Sequence, residues 1–197
     1  MSSTKGLQAD ESSRKGYGPT SFWLQEPGVV FAHLDLQAGQ VFLDAGCGAG
    51  EYSLYAAPLL GETGKVIAVD NIRISTDALN ALPARPGEAP ITAFACDITA
   101  TLPIETHSVD VIFLSTVLHI KKVRDRAGEM FREFHRVLRT GSTLAVLECK
   151  KVEANFGPPL HSRLSEDDVR TLVEPHGFRH ASTLDTGHAN LICFQAE

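Results

Sequence analysis

Five short apolar runs, each ending where the chain turns glycine-rich or polar, limit the fold of this chain more than any other feature. Val41-Phe42-Leu43 leads into a glycine turn, Lys65-Val66-Ile67-Ala68-Val69 ends at Asp70, and Ile91-Thr92-Ala93-Phe94-Ala95-Cys96 ends at Asp97. Residues 109–114 and 142–147 continue the series. Unbroken, β-branched runs of this kind suit strands buried on both faces, as in a parallel sheet covered by helices.

Amphipathic stretches lie between the runs. Residues 51–60 carry Tyr52, Leu54, Tyr55, Leu59 and Leu60, and read as a helix despite Pro58 near its end. Residues 126–138 set Met130, Phe131, Phe134, Val137 and Leu138 on one face, with Gly141 as the expected C-terminal cap. Ser165-Glu166-Asp167-Asp168 has the form of a capping box ahead of Val169, Leu172 and Val173, and Gly177 closes that helix. Residues 178–185 and 190–195 then read as strands separated only by Thr186-Gly187-His188-Ala189. So short a connection cannot hold a crossover helix, so this pair forms an antiparallel hairpin. A mostly parallel sheet closed by one hairpin is expected.

At 197 residues, with 43% hydrophobic and 21% charged positions, the chain has the size and composition of one soluble globular domain. The serine-containing residues 1–16 read as a flexible tail and 17–197 as the domain. A net charge of −6 provides no overall field for phosphate backbones or anionic lipid, so no nucleic acid is expected as partner. Arg132, Arg136 and Arg139 could form a local basic patch; with Glu129 and Glu133 interleaved they equally describe a solvated helix face. No run approaches the ~20 apolar residues needed to cross a bilayer, and no signal-peptide core is present, so a cytoplasmic protein without membrane attachment is expected. Cys47, Cys96, Cys149 and Cys193 form no CxxC pair, so reduced thiols and no metal site are expected. An exposed apolar surface could pair two copies as a homodimer, although no sequence marker for it is present.

Ligands of open α/β sheets sit at the carboxyl ends of the strands, where the first strand meets a glycine-rich turn and the next helix. Gly46, Gly48 and Gly50 occupy that turn, where missing β-carbons allow a sharp bend and close approach of a ligand to main-chain N–H groups. A purely structural turn could use the same glycines. Asp70 ends the second run, twenty positions after Gly50, where a carboxylate can accept from both ribose hydroxyls of an adenosine. Asp97 ends the third, placed either to accept from an adenine amine or to serve as a turn aspartate. The turn is not G-x-G-x-x-G, and Asp44 before it puts a negative charge where a pyrophosphate would lie, which favours a cationic ligand.

Residues 41–50, Val66-Ile67-Ala68-Val69-Asp70, Ala95-Cys96-Asp97-Ile98 and Val109-Asp110-Val111-Ile112-Phe113 resemble the successive motifs of class I S-adenosylmethionine-dependent methyltransferases. Arg136-Val137-Leu138-Arg139-Thr140-Gly141-Ser142 is similar to that family's entry to its fifth strand, with Thr140 and Ser142 as departures. More narrowly, the chain resembles small ubiquinone-type and arsenite-type methyltransferase domains, although the extra cysteine segments of the latter are missing. The resemblance implies a Rossmann-like, doubly wound seven-stranded sheet in the order 3-2-1-4-5-7-6 and S-adenosyl-L-methionine as cofactor. It implies cofactor contacts from Asp44, Gly46, Cys47, Gly48, Gly50, Asp70, Asn71, Cys96, Asp97, Ile98 and Ser115, with Asp44 meeting the amino-acid end of the cofactor.

Methyl transfer from a sulfonium is an in-line displacement, which needs alignment and dryness, and a base only where the acceptor must lose a proton. The acceptor is expected near Ser115, Thr116, His119, Glu148 and Lys150. His119 is the candidate base or orienting group; simple packing at a helix start is the alternative. Leu114-Ser115-Thr116-Val117-Leu118 stands where amino-methyltransferases of DNA carry an Asn-Pro-Pro-Tyr type of sequence, which leaves small molecules as the expected acceptors. Tyr17 and the loop 151–163, with His161 and a Pro-Pro pair, either cover the acceptor or merely connect. Two further readings stay open: a non-catalytic S-adenosylmethionine-binding regulator, and a nicotinamide-dependent oxidoreductase, for which no Tyr-x-x-x-Lys pair is evident.

Overall fold

The apolar runs alternate between two cores, which is why they are unbroken. The computed structural model describes residues 21–197, so the expected tail and Tyr17 lie outside the described residues. Strand β1 (Val41–Ala45) pairs in parallel with β2 (Lys65–Asp70) and β4 (Val109–Ser115). Outside these lie β3 (Ile91–Ala95) and β5 (Leu138–Cys149), also parallel. β7 (Ala189–Ala196) runs antiparallel to both β5 and β6 (Phe178–Asp185), giving the order β3-β2-β1-β4-β5-β7-β6. The expected seven-stranded order and closing hairpin are both present.

Because successive side chains of a strand point to opposite faces, each run supplies both layers. Phe42, Val111, Phe113, Ala145 and Leu147 face helices α2 (Pro27–Leu34) and α3 (Glu51–Leu60). Leu43, Ile112, Leu114, Leu144 and Val146 face α6 (Ala127–Val137) and α7 (Glu166–Val173). Each fully buried Phe or Leu contributes about 1.5–3 kcal/mol by leaving water. The short helices α1 (Ser21–Leu24) and α5 (Lys121–Arg124) lie before α2 and α6, and α4 (Arg73–Asn80) packs beside β3. No helix among the described residues is long and apolar enough to cross a membrane.

The capping box forms as expected: Ser165 Oγ accepts from the Asp168 N–H at 3.1 Å and Asp168 Oδ2 from the Ser165 N–H at 2.9 Å. The expectation for Gly141 fails. Helix α6 ends at Val137 and passes directly into β5, so no separate cap is needed. Gly141, at φ +80°, instead lies in a bulge where the β4–β5 register jumps from Val109↔Leu138 to Val111↔Thr143. Arg139 pairs with Asp110 across that bulge, and Arg136 with Glu133, so two of the three arginines of the suspected basic patch are neutralised in place.

Candidate functional site

The parallel strands deliver Ala45, Asp70, Ala95, Ser115 and Cys149 to one edge of the sheet. The glycine turn there is closed on itself. Gly46 and Cys47 N–H both donate to Val69 O, at 2.8 and 3.0 Å, and Gly50 N–H donates to Cys47 O at 2.8 Å. Gly48 N–H donates to Asp70 Oδ2 at 2.8 Å. The expectation that a ligand meets these N–H groups is therefore corrected: they are spent on the neighbouring strand, and a phosphate would find none of the four free.

Shape explains the glycines better. Gly46, Gly48 and Gly50 all have positive φ, which L side chains rarely adopt. A β-carbon on Gly46 would fall 2.6 Å from Val117 Cγ2 and one on Gly50 2.3 Å from Leu79 Cδ2, whereas one on Gly48 would meet nothing within 4 Å. Two glycines thus allow packing against the protein, and the middle one faces open space.

Asp70 is nearly buried and also accepts from Ile72 N–H, through Oδ1 at 2.9 Å. A carboxylate has about four lone-pair sites, so two stay available for the paired hydroxyls of a ribose. Asn71 beside it is exposed. Asp97 behaves as a turn aspartate: Oδ1 accepts from the N–H and hydroxyl of Thr99 at 2.9 and 2.7 Å. These bonds, aided by Arg126 at 3.3 Å from Oδ2, hold its carboxyl below the usual carboxylate range. Its side chain is half-exposed, so the turn role leaves Oδ2 accessible from solvent. Ile98 turns its side chain into the core, so only its main chain is placed for a ligand. Cys96 is half-buried, with its N–H on Asp70 O.

Asp44 does not face the opening. It is 1% exposed and its Oδ2 accepts from Ser53 Oγ at 2.7 Å, beneath the turn. Burial pushes its pKa up to about 7, the Ser53 hydrogen bonds opposing and the charges of Asp70 and Glu51 adding to the rise. Cys47, also buried, is held as a neutral thiol by desolvation and by Asp44.

At the end of β4, Ser115 Oγ lies 2.8 Å from Ser21 Oγ on α1. The Tyr52 hydroxyl is buried with no hydrogen-bond partner of good geometry among the described residues. Burial raises its pKa, and the nearby Ser21 and Ser115 hydroxyls temper the rise. A polar atom so placed suits a ligand with polar groups. Thr116 follows at φ +51°, a rare conformation for a β-branched residue, and re-aims the chain toward Leu118 and His119.

Glu148, 2% exposed on β5, then organises this edge. Its Oε1 accepts from Leu118 N–H at 2.7 Å and more distantly from His119 N–H at 3.3 Å, while Oε2 lies 3.0 Å from His119 Nδ1. A carboxylate can only accept, so Nδ1 carries the proton and Nε2 of a neutral ring is left as an acceptor. The sequence placed Glu148 near the acceptor without a role. Tyr52, Ser53 and Ser21 were missed entirely, since no local pattern announces a contact made across the sheet.

The model of a family described as "Methyltransferase domain" matches residues 42–141. A protein-L-isoaspartate O-methyltransferase of Methanococcus maripaludis is 35% identical over 57 residues, which cover 29% of this chain and 27% of that enzyme's length. A solved S-adenosylmethionine-dependent methyltransferase of Aquifex aeolicus superposes with a TM-score of 0.78 at 26% identity, covering 88% of this chain and 91% of the other. A 1,6-didemethyltoxoflavin N1-methyltransferase of Burkholderia thailandensis, solved with S-adenosylhomocysteine, gives a TM-score of 0.62 at 18% identity over 86% and 76% of the two chains. With ordered motifs, strand order and family model in agreement, the chain belongs to the class I S-adenosylmethionine-dependent methyltransferases.

Proposed function

We propose that the protein methylates a small-molecule acceptor whose nucleophile loses a proton on transfer, by in-line displacement, with His119 as the base. The observation that carries this reading is the Glu148–His119 pair, which fixes the imidazole tautomer and leaves Nε2 free beside the strand ends. When bound, S-adenosylmethionine supplies a methyl group activated by the sulfonium. Asp70 holds the ribose through its two unused lone-pair sites, and Asn71, Cys96, Asp97 and main-chain Ile98 border the adenine. Gly46, Cys47, Gly48, Gly50 and Ser115 shape the methionine end, with Asp44 contributing from below. His119 takes the acceptor's proton at Nε2, and Glu148 stabilises the resulting imidazolium. Ser115, Tyr52 and the apolar wall behind them keep water from the nucleophile. The same reading places a single domain over 17–197, working in the cytoplasm.

The test is a methyl-transfer screen over phenols, thiols, amines and carboxylates, with S-adenosylhomocysteine formation as readout. Transfer to a proton-bearing nucleophile that is lost in His119→Ala supports it. Tight S-adenosylmethionine binding with no transfer to any class would instead favour a binding regulator.

A further inference from the structure

After Cys149 the chain makes a loop over residues 150–163, held by one buried guanidinium. Arg163 is 3% exposed. Its Nε donates to Pro158 O at 2.7 Å, Nη1 to Val152 O at 2.7 Å and Lys150 O at 3.2 Å, and Nη2 to Phe156 O at 2.5 Å. The loop is also pinned to the β6–β7 turn, through Lys150 N–H on His188 O at 3.1 Å and the Phe156 ring on His188 at 4.8 Å. It is therefore a fixed wall beside the strand ends.

That wall borders an open hollow of about 760 Å³, lined by Phe156, Pro158 and Leu160 together with Lys151, His161 and Arg163. An adjoining space of about 350 Å³ shares those last three residues and adds Arg124 from α5. Among the described residues Arg124 donates only to Ser162 O, at 3.3 Å. Neither guanidinium pairs with a carboxylate among the described residues. Lys151 is bound to Asp168 at 2.7 Å, and Glu153 is the other acid of the lining. Three cations thus face two carboxylates in a chain whose net charge is −6.

We infer that this double hollow binds the carboxylate of an organic acid, which on the functional reading above is the methyl acceptor itself. Apolar lining suits the body of such a molecule, and the excess of one positive charge suits a monoanion better than a phosphate dianion. Lys151 follows Glu148 by three residues and so lies within ~11 Å of it along the chain, a span that a small acid bridges to reach the histidine.

Titration calorimetry of the full chain with benzoate, benzamide and inorganic phosphate tests the inference. Benzoate is expected to bind at least tenfold tighter than the other two, and Arg124→Gln, which keeps a donor for Ser162 O, to reduce benzoate to the level of benzamide. Lys151→Gln should weaken benzoate in the same direction and serves if the first variant misfolds. Equal affinity for benzoate and benzamide, or unchanged benzoate binding in both variants, overturns the proposal; phosphate binding as tightly as benzoate overturns the choice of a carboxylate. S-adenosylhomocysteine is titrated separately into the same protein, so failure of the cofactor reading shows as absent nucleoside binding while benzoate still binds.

Discussion

Glu148 Oε2 and His119 Nδ1 stand 3.0 Å apart across neighbouring strand ends, and the other oxygen of the same carboxylate anchors the Leu118 N–H. One buried acid thus orients a side chain and fixes the backbone that carries it.

Removing the base should lower kcat/KM of His119→Ala by about 10²–10⁴-fold for an acceptor that must lose a proton. Glu148→Gln should give a smaller fall, with the acid limb of the pH profile shifted to lower pH, because the imidazolium loses the negative partner that favours it and the ring becomes a free base sooner. Glu148→Ala leaves the Leu118 N–H unpaired and should cost about 1–3 kcal/mol in urea unfolding. A pH–rate profile unaltered in Glu148→Gln would show that the pair is only structural.

Asp70→Ala should weaken S-adenosylhomocysteine binding by tenfold or more in calorimetry, since each hydrogen bond to a charged group contributes about 1.5–3 kcal/mol. The variant also frees the N–H groups of Gly48 and Ile72. Undiminished affinity would mean that the nucleoside lies elsewhere.

The glycines should separate by readout. Gly50→Ala drives a β-carbon into Leu79 and should lose about 2–5 kcal/mol of stability, the sum of overpacking and positive-φ strain. Gly48→Ala meets no protein atom, so it should unfold only about 1–2 kcal/mol more easily yet lose S-adenosylhomocysteine affinity. Equal binding by wild type and Gly48→Ala would remove this glycine from the cofactor surface.

Asp44 links stability to pH. Its pKa is about 7 in the fold against an ordinary 3.8, so the folded chain holds a proton that the unfolded chain has already released between these values. Stability from this group therefore falls as pH rises from about 4 to about 7 and is level on either side. Asp44→Asn removes that dependence and should be the more stable of the two at pH 8, by up to about 4 kcal/mol. Urea titrations at pH 5, 6, 7 and 8 check the sign; parallel curves for the two proteins would refute it.

Strand positions and the closing hairpin were legible because periodicity and connection length are local properties: unbroken apolar runs need two covered faces, and four residues cannot cross a sheet. The positions of Asp70 and Asp97 at strand ends were legible for the same reason, each standing where a run stops. Asp44 was misplaced because the motif says nothing about depth, and only the packing of α3 on β1 puts Ser53 above it. Gly141 was misread as a cap because helix and strand join without a loop, which only the register against β4 reveals.

By itself, the order of apolar runs and acidic strand ends determined the sheet, the family and the edge at which those acids gather. Tertiary structure decided which groups at that edge are free. It spent the glycine-turn N–H groups on Val69 and Asp70, buried Asp44 under Ser53, and brought Glu148 to His119 from 29 residues away. Those outcomes depend on where neighbouring strands end relative to one another, a relation set by side-chain packing between layers and carried by no short stretch of sequence.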